Sequence, residues 1–283
     1  MHYKKHWDAY KTRSPNPRGT ELKTGHSEKL SIIVPIHNEA KTIEKFIATI
    51  LKCHPNLEVL LGDDASSDGT REILKKYESD ERIKVLYLDK NKVAGAVRNR
   101  LLEVAEGDYI AIQDADDLPG SDRFFKQIEY LKKNSHVDVV GSWADLVTTD
   151  YRRWGTIKVP LRPSFWDWML QRATVHASIM FRRKIKSHAR YKEDLRFGED
   201  YYFLTALFKK GCVFENIQET LYQYVIEPGD LLSRGKRQFK QILRAKTAIS
   251  RLFSGPTRMM FLTVNFLILL IAFVRGSFLS LRD

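Results

Sequence analysis

Apolar residues in the first half of this chain come in short runs, separated by polar stretches with helical spacing. Leu30 to Pro35 is a β-branched run stopped by proline, and Leu57 to Gly62, Ile83 to Leu88 and Tyr109 to Gln113 are runs of similar length. Between the first two, Ile43, Phe46, Ile47, Ile50 and Leu51 recur on one helical face, opened by Asn38 or Glu39. Gly69 to Tyr77 and Val93 to Ala105 are predicted helices in the next two gaps. Strand and helix alternate four times, with connections long enough for right-handed crossovers. The expected fold class is α/β, with a mostly parallel central sheet and helices on both faces. A helix over Arg123 to Lys133 and a strand over Val137 to Ser142 follow. The alternation then weakens into short strands (Ile179 to Phe181, Cys212 to Glu215, Thr220 to Val225) and helices near Phe165 to Gln171 and Tyr201 to Lys209.

The pattern divides the chain into a polar lead-in over 1–29, a main domain over 30–233 and a helical tail over 234–283. On a helical wheel, Phe239, Ile242, Leu243, Ile249 and Phe253 share one arc, with Arg237, Lys240, Arg244 and Arg251 opposite. Lys246 intrudes on the apolar arc and is expected to snorkel. The pattern suits a helix lying on an anionic bilayer; the alternative is a surface helix packed on the domain with a solvated basic face. After the Gly255-Pro256 break, Met259 to Val274 is 16 residues without formal charge, bracketed by Arg258 and Arg275. At about 24 Å it falls short of the ~30 Å bilayer core, which leaves a monotopic anchor, a strained single span or a buried helix of a homodimer open.

Charge sharpens the division. The 283 residues carry 47 Lys+Arg against 35 Asp+Glu, a net +12. The tail from Arg234 holds 10 basic residues and 1 acidic, and Met1 to Lys29 holds 7 and 3, so the body is almost neutral. Basic ends on a neutral body imply an anionic partner, membrane or nucleic acid. Membrane is the better fit, because the tail adjoins an apolar segment and lacks a nucleic-acid reading motif. Two isolated cysteines, Cys53 and Cys212, suggest reduced core thiols. The polar start carries no apolar leader, so the active domain is expected at the cytosolic face of the membrane.

The chemistry sits at strand ends. Asp114-Ala115-Asp116-Asp117 closes the fourth strand, and Asp63 and Asp64 close the second. Open α/β sheets bind ligands outside the carboxyl ends of their strands. Clustered carboxylates repel and are costly to desolvate, so a divalent cation is implied, Mg2+ or Mn2+.

Further motifs fall in the same order along the chain: Val34-Pro35-Ile36-His37-Asn38-Glu39 at the end of strand one, Ala94-Gly95-Ala96-Val97-Arg98-Asn99 after strand three, and Gly198-Glu199-Asp200. Together the series resembles the inverting family 2 glycosyltransferases of the GT-A fold, a Rossmann-like sheet, over about residues 30 to 225. The resemblance implies transfer of sugar from a nucleotide-sugar donor, UDP-linked as first choice, to a glycan or glycolipid acceptor. It makes Asp116 the main metal ligand, sets Asp114 near ribose and metal, and leaves Asp117 as a substitute for either. Asp64 would accept the base ring N–H, Pro35 and Glu39 would line the nucleotide pocket, and Arg98 would lie by the diphosphate. Asp200 would be the general base, with Glu199 in reserve, and His176 stands between a role at the diphosphate or acceptor and a structural one.

Plainer roles stay open: helix acids for Glu39, Glu199 and Asp200, an exposed helical arginine for Arg98, and a solvated acidic turn at 114–117. Asp68-Gly69-Thr70 is expected to cap the next helix. Trp143, Trp154, Trp166 and Trp168 are either a stacking platform or core. The chain lacks the Gln-x-x-Arg-Trp motif of processive relatives, so transfer of one sugar or a few is expected. A polyprenyl-phosphate glycosyltransferase and a sugar-phosphate nucleotidyltransferase are the enzymatic alternatives, the latter weakened by the lack of a glycine-rich phosphate loop. A phospho-acceptor receiver module and a dinucleotide oxidoreductase fit less well, and a catalytically dead binding protein stays open, to be revealed by nucleotide binding without turnover.

Overall fold

The computed structural model describes residues 28–226 and 239–279, with side chains undescribed at 239–241 and 269–279. Most of the expected lead-in and the Arg234–Gln238 start of the tail therefore lie outside the described residues. So do the side chain of Phe239 and those of residues 269–274 in the apolar run from Met259.

The predicted alternation is present as β1 (Leu30–Ile36), α1 (Ile43–Ile50), β2 (Leu57–Asp63), α2 (Thr70–Lys75), β3 (Ile83–Tyr87), α3 (Ala94–Val104) and β4 (Tyr109–Ile112). Then come β5 (Leu118–Pro119), α4 (Arg123–Lys133), β6 (Val139–Thr148), β7 (Arg153–Ile157), α5 (Phe165–Met169), β8 (Met180–Arg182), α6 (Glu199–Lys209) and β9 (Phe214–Ile226). The tail forms α7 (Phe239–Ser250) and α8 (Gly255–Leu279).

Among the described residues all nine strands join one sheet, in the order β3-β2-β1-β4-β8-β6-β9-β5, with β7 paired to β6. The first four strands are parallel, as the alternation requires. The second half departs from a mostly parallel sheet: β8 is antiparallel to both β4 and β6, β9 runs parallel to β6, and β5 returns antiparallel on β9. The two short strands read over Cys212 to Val225 are one long strand, whose register against β6 shifts near Trp143. Such a shift bends the strand and breaks its apolar run, which is why the pattern looked like two elements.

Both faces of the parallel half are covered. Ile33, Leu60 and Ile110 pack with Val97 and Leu101 of α3 and Phe203 and Leu204 of α6. Their strand neighbours Ile32, Val34, Val59 and Ala111 pack on the other face with Phe46 and Ile47 of α1 and Ile128 of α4. Strands buried on both sides need continuous apolar runs, and that is what the sequence supplies.

The tail corrects two expectations. Ile249 and Phe253 join the α3/α6 core, while Ala245 and Ala248 pack against Leu195 and Tyr202. The inner face of α7 thus meets protein rather than lipid, and only Leu243 of the described apolar arc is exposed. Lys246 does not snorkel outward: its Nζ bonds Gln171 Oε1 and Asn265 Oδ1, and burial pulls its pKa down to about 8. Asn265 Nδ2 donates to Met169 O, and Phe261 is buried beside Phe253, so α8 is anchored to its own chain. The tail helices complete the core of the domain.

One position locks α3 against the sheet. A Cβ on Gly62 would stand 2.3 Å from Val97 Cγ1 and 3.1 Å from Leu101 Cδ1, so only glycine lets the helix lie this close to β2. We expect Gly62→Ala to cost about 1–3 kcal/mol in chemical denaturation through overpacking. Because Arg98 adjoins Val97, its ion pair with Asp114 should be disturbed with it; wild-type stability would show that α3 has room to move.

Candidate active site

Two loops at the carboxyl edge of the sheet are stitched together. Asn38 and Ala65 sit in the left-handed region, at φ 58° and 55°. Asn38 N donates to Ser66 Oγ at 2.9 Å, and Ser67 N donates to Asn38 Oδ1 at 2.9 Å. Asp68 accepts from Ala40 N and Thr70 N, at 3.0 and 3.1 Å. Asp68 therefore holds the turn, as a structural reading of Ser66 to Thr70 required, while Gly69 occupies the N-cap of α2 without a side-chain cap.

These loops form one wall of a cleft of about 430 Å3. Pro35, Glu39, Asp64, Arg98, Asp114 and Asp116 all line it. So do His37, Asn91, Lys92, Arg196 and Phe197, which the sequence reading did not single out. Their signal was positional: His37 lies within the motif that ends strand one, and the others lie just before a recognised motif, Asn91 and Lys92 before Ala94 and Arg196 and Phe197 before Gly198. A cavity of similar size, about 440 Å3, opens beside α7, but its carboxylate Asp194 is tied to Lys192 and Arg244.

Within each acidic strand end the carboxylates divide their work. Asp63 is fully buried and bonds Arg71 Nε at 2.6 Å, whereas Asp64 faces the cleft with Oδ1 accepting from Lys92 N at 2.7 Å. At the end of β4, Asp116 is exposed and Asp114 half-buried. Asp117 does not join them. It turns inward, accepting from Val225 N at 2.9 Å and from the Tyr222 hydroxyl at 2.8 Å, and burial followed by repulsion from Asp116 and Asp114 raises its pKa well above the usual carboxylate range. With both oxygens engaged by the protein, Asp117 is a poor substitute ligand. Among the described residues no cluster of three His, Cys, Asp or Glu side chains is gathered for a metal. Asp114 and Asp116 remain as a pair of hard oxygen donors at the cleft, to be completed by ligand oxygens.

Arg98 ties the site across the fold. It is 5% exposed, donates to Asp114 Oδ1 at 2.7 Å and to Glu199 Oε1 at 3.3 Å, and lies 5.6 Å from the Tyr191 ring. Burial opposes its charge, but Asp114 and Glu199 outweigh burial and raise its pKa. Its buried Nε has no hydrogen-bond partner. This is no solvated surface arginine.

Glu199 and Asp200 open α6 after Gly198, whose φ of 74° turns the chain into the helix. A Cβ there would meet Ala245 Cβ at 2.7 Å, so α7 presses directly behind the motif. Burial raises both carboxyl pKa values, and the repulsion of Asp200 adds to the rise at Glu199. Neither residue is among those lining the cleft; Glu199 is held by Arg98, whereas Asp200 Oδ1 accepts from Tyr201 N at 2.7 Å.

His176 lies outside the cleft. It is buried, its Nε2 pairs with Tyr191 Oη at 2.8 Å, and Tyr191 stacks on Phe203 at 4.1 Å. Burial first, then the Arg98 charge, drives its pKa well down, so it is a neutral strut below Arg98. Trp168 is likewise core, stacked on Phe208, whereas Trp154 and Trp166 are exposed.

An acid-lined cleft over the carboxyl edge of a half-parallel sheet, with the sheet continued by antiparallel strands, is the arrangement expected of a GT-A fold. The family follows from comparison. Residues 31–191 match the model of glycosyl transferase family 2. The chain is 35% identical over 215 residues to EpsE of Bacillus subtilis, which carries a glycosyltransferase name, over 73% of this chain and 76% of that one. It is similar in fold to S. aureus TarS 1–349 in complex with UDP-GlcNAc (TM-score 0.62, 22% identity, 79% of this chain and 66% of that one). It is also similar to the mannosyltransferase PcManGT of Pyrobaculum calidifontis in complex with GDP-Man and Mn2+ (TM-score 0.62, 17% identity, 93% and 76%). The chain belongs to glycosyltransferase family 2, and the nucleotidyltransferase alternative falls away.

The strut assignment of His176 has a pH signature. With its folded pKa depressed, the unfolded state binds more protons below about pH 6.5, so stability falls as pH drops through that value. His176→Leu should weaken that acid slope in denaturation curves and cost about 1–3 kcal/mol at neutral pH by leaving Tyr191 Oη unpaired. An unchanged slope would return His176 to the list of solvated groups.

Proposed function

We propose that this enzyme transfers a single sugar, with inversion, from a UDP-sugar to a lipid-linked or envelope glycan acceptor, acting with Mg2+ or Mn2+ at the cytosolic face of an anionic membrane. The observation that carries the reading is Arg98: a buried cation at the cleft wall, shared between Asp114 and Glu199, with Nε still unpartnered. The guanidinium spends only part of its five-donor fork on these carboxylates and lines the cleft, which suits an anionic ligand.

The nucleotide would lie against Pro35 and Glu39 with its base at Asp64. Asp116 and Asp114 would hold the divalent ion, which as a Lewis acid stabilises the charge of the departing diphosphate. Asp200 takes the proton of the acceptor hydroxyl as that oxygen bonds the anomeric carbon from the face opposite the leaving group. The carbon–oxygen bond to the diphosphate breaks with its electrons, and UDP departs. UDP-GlcNAc in TarS and GDP-Man with Mn2+ in PcManGT support a nucleotide-sugar donor and a divalent ion.

Asp116→Ala should abolish metal-stimulated donor hydrolysis. Asp200→Asn should bind UDP with Mn2+ in a thermal-shift assay yet lose transfer by about 10²-fold or more. In the wild type, transfer should fall at higher pH than an ordinary carboxylate would dictate, because the base pKa is raised. Near-normal transfer by Asp200→Asn would move the base elsewhere.

Membrane contact is assigned to α8 and its surroundings. Among the described residues no helix is long and apolar enough to cross a membrane. Met259 and Phe266, one heptad apart on α8, are 65% and 62% exposed, with Leu243, Leu267 and the cations Arg251 and Arg258 nearby in sequence and also exposed. An exposed apolar strip with arginines suits an anionic interface. The double variant Met259→Asp/Phe266→Asp should keep its melting temperature and lose at least about tenfold in co-sedimentation with phosphatidylglycerol vesicles. Pelleting like wild type would leave the tail without a membrane role.

A further inference from the structure

Beneath the acidic turn lies a cation that no motif pointed to. Arg123 opens α4 and is fully buried, yet among the described residues no ion pair joins it to a carboxylate. Its donors go to neutral oxygens: Nη1 to Gln113 Oε1 at 2.8 Å, Nη2 to Ile112 O at 2.9 Å and Ile179 O at 3.3 Å, and Nε to Gln127 Oε1 at 3.0 Å. The guanidinium also lies 5.0 Å from the Phe124 ring and 5.1 Å from the Tyr222 ring. Burial lowers its pKa only to about 10, so it stays charged at neutral pH.

The partners of Arg123 lead straight to the turn. Gln113 Nε2 donates to Asp114 O at 3.0 Å and to Asp117 O at 3.4 Å. The Tyr222 hydroxyl accepts from Asp114 N at 3.3 Å and donates to Asp117 Oδ2 at 2.8 Å. The turn that carries Asp116 is thus gripped at both ends by two side chains, and each of them rests on Arg123. Only a planar fork with five N–H groups can serve β4, the residue before β8 and α4 at once; a lysine ammonium has three donors and no plane to lie against the rings.

We propose that Arg123 is a positioning residue for the acidic turn, fixing the backbone of Asp114 to Asp117 through Gln113 and Tyr222 so that Asp114 and Asp116 are preset for the donor diphosphate and its divalent ion. This role rests on the metal-dependent reading of the site and adds a residue that touches neither substrate nor metal. A preset pair of ligands loses less freedom on binding than a mobile one, so the effect belongs in ion affinity as well as in rate.

The test compares variants at a temperature where each is folded by circular dichroism. Mn2+ affinity in the presence of UDP is read by calorimetry, and uridine affinity, which needs no metal, is read alongside. Arg123→Met and Gln113→Leu should each weaken Mn2+ binding at least tenfold and leave uridine binding within about twofold. Leu131→Ala, a buried site two turns along α4, should lower the melting temperature and leave Mn2+ affinity unchanged. If Arg123→Met fails to fold, Gln113→Leu carries the comparison. Wild-type Mn2+ affinity in a folded Arg123→Met or Gln113→Leu protein would overturn the proposal, as would an equal loss in Leu131→Ala. Asp116→Ala separates the two readings. Loss of Mn2+ binding there upholds the metal site whatever Arg123 does, whereas wild-type protein that binds UDP equally with and without Mn2+ removes both.

Discussion

Gathering carboxylates at one end of a sheet is electrostatically costly, and the structure depends on how that cost is met. Asp114, Asp117, Glu199 and Asp200 are all at least half-buried, and the charge of Asp114 disfavours ionisation of each of the other three. Arg98 answers part of this from the side by pairing with both Asp114 and Glu199. These residues come from α3, the end of β4 and the start of α6, so one guanidinium joins the parallel half of the fold to the later, mixed half. Its own burial is tolerable because it is paired on both sides.

The placement of Arg98 is in turn a packing result. Gly62 lets α3 lie close on β2, and Gly198 lets α6 begin under pressure from α7. The tail therefore supports the walls of the cleft, although among the described residues it contributes no side chain to it. Ile249 and Phe253 belong to the same core as Val97, which neighbours Arg98. The helix that backs the Gly198–Asp200 turn on one side leads into the exposed apolar strip of α8 on the other.

The division of labour among the aspartates follows the same logic. Each acidic strand end keeps one carboxylate for structure and offers the other to the cleft: Asp63 behind Asp64, Asp117 behind Asp114 and Asp116. Adjacent residues leave a strand end in different directions, so a paired acid motif can anchor its own turn while exposing a ligand.

Apolar runs and their spacing were enough to set the four parallel strands, the helices between them and the strand ends where chemistry gathers, because these depend on local periodicity and on the crossover rule. The order of motifs pointed to Asp64, Arg98, Asp114 and Asp116, and the structure brings those four to one cleft. What sequence left undecided was every question of direction. A helical wheel groups Ile249 with Phe253 but does not say whether that face meets lipid or protein. A row of aspartates does not say which one turns inward, and a histidine near a strand does not reveal that it lies beneath an arginine. Those outcomes are set by contacts between residues far apart in the chain: Asp117 with Tyr222, His176 with Arg98 and Tyr191, Ala245 with Gly198. Only the folded arrangement, which decides what each side chain has opposite it, could settle them.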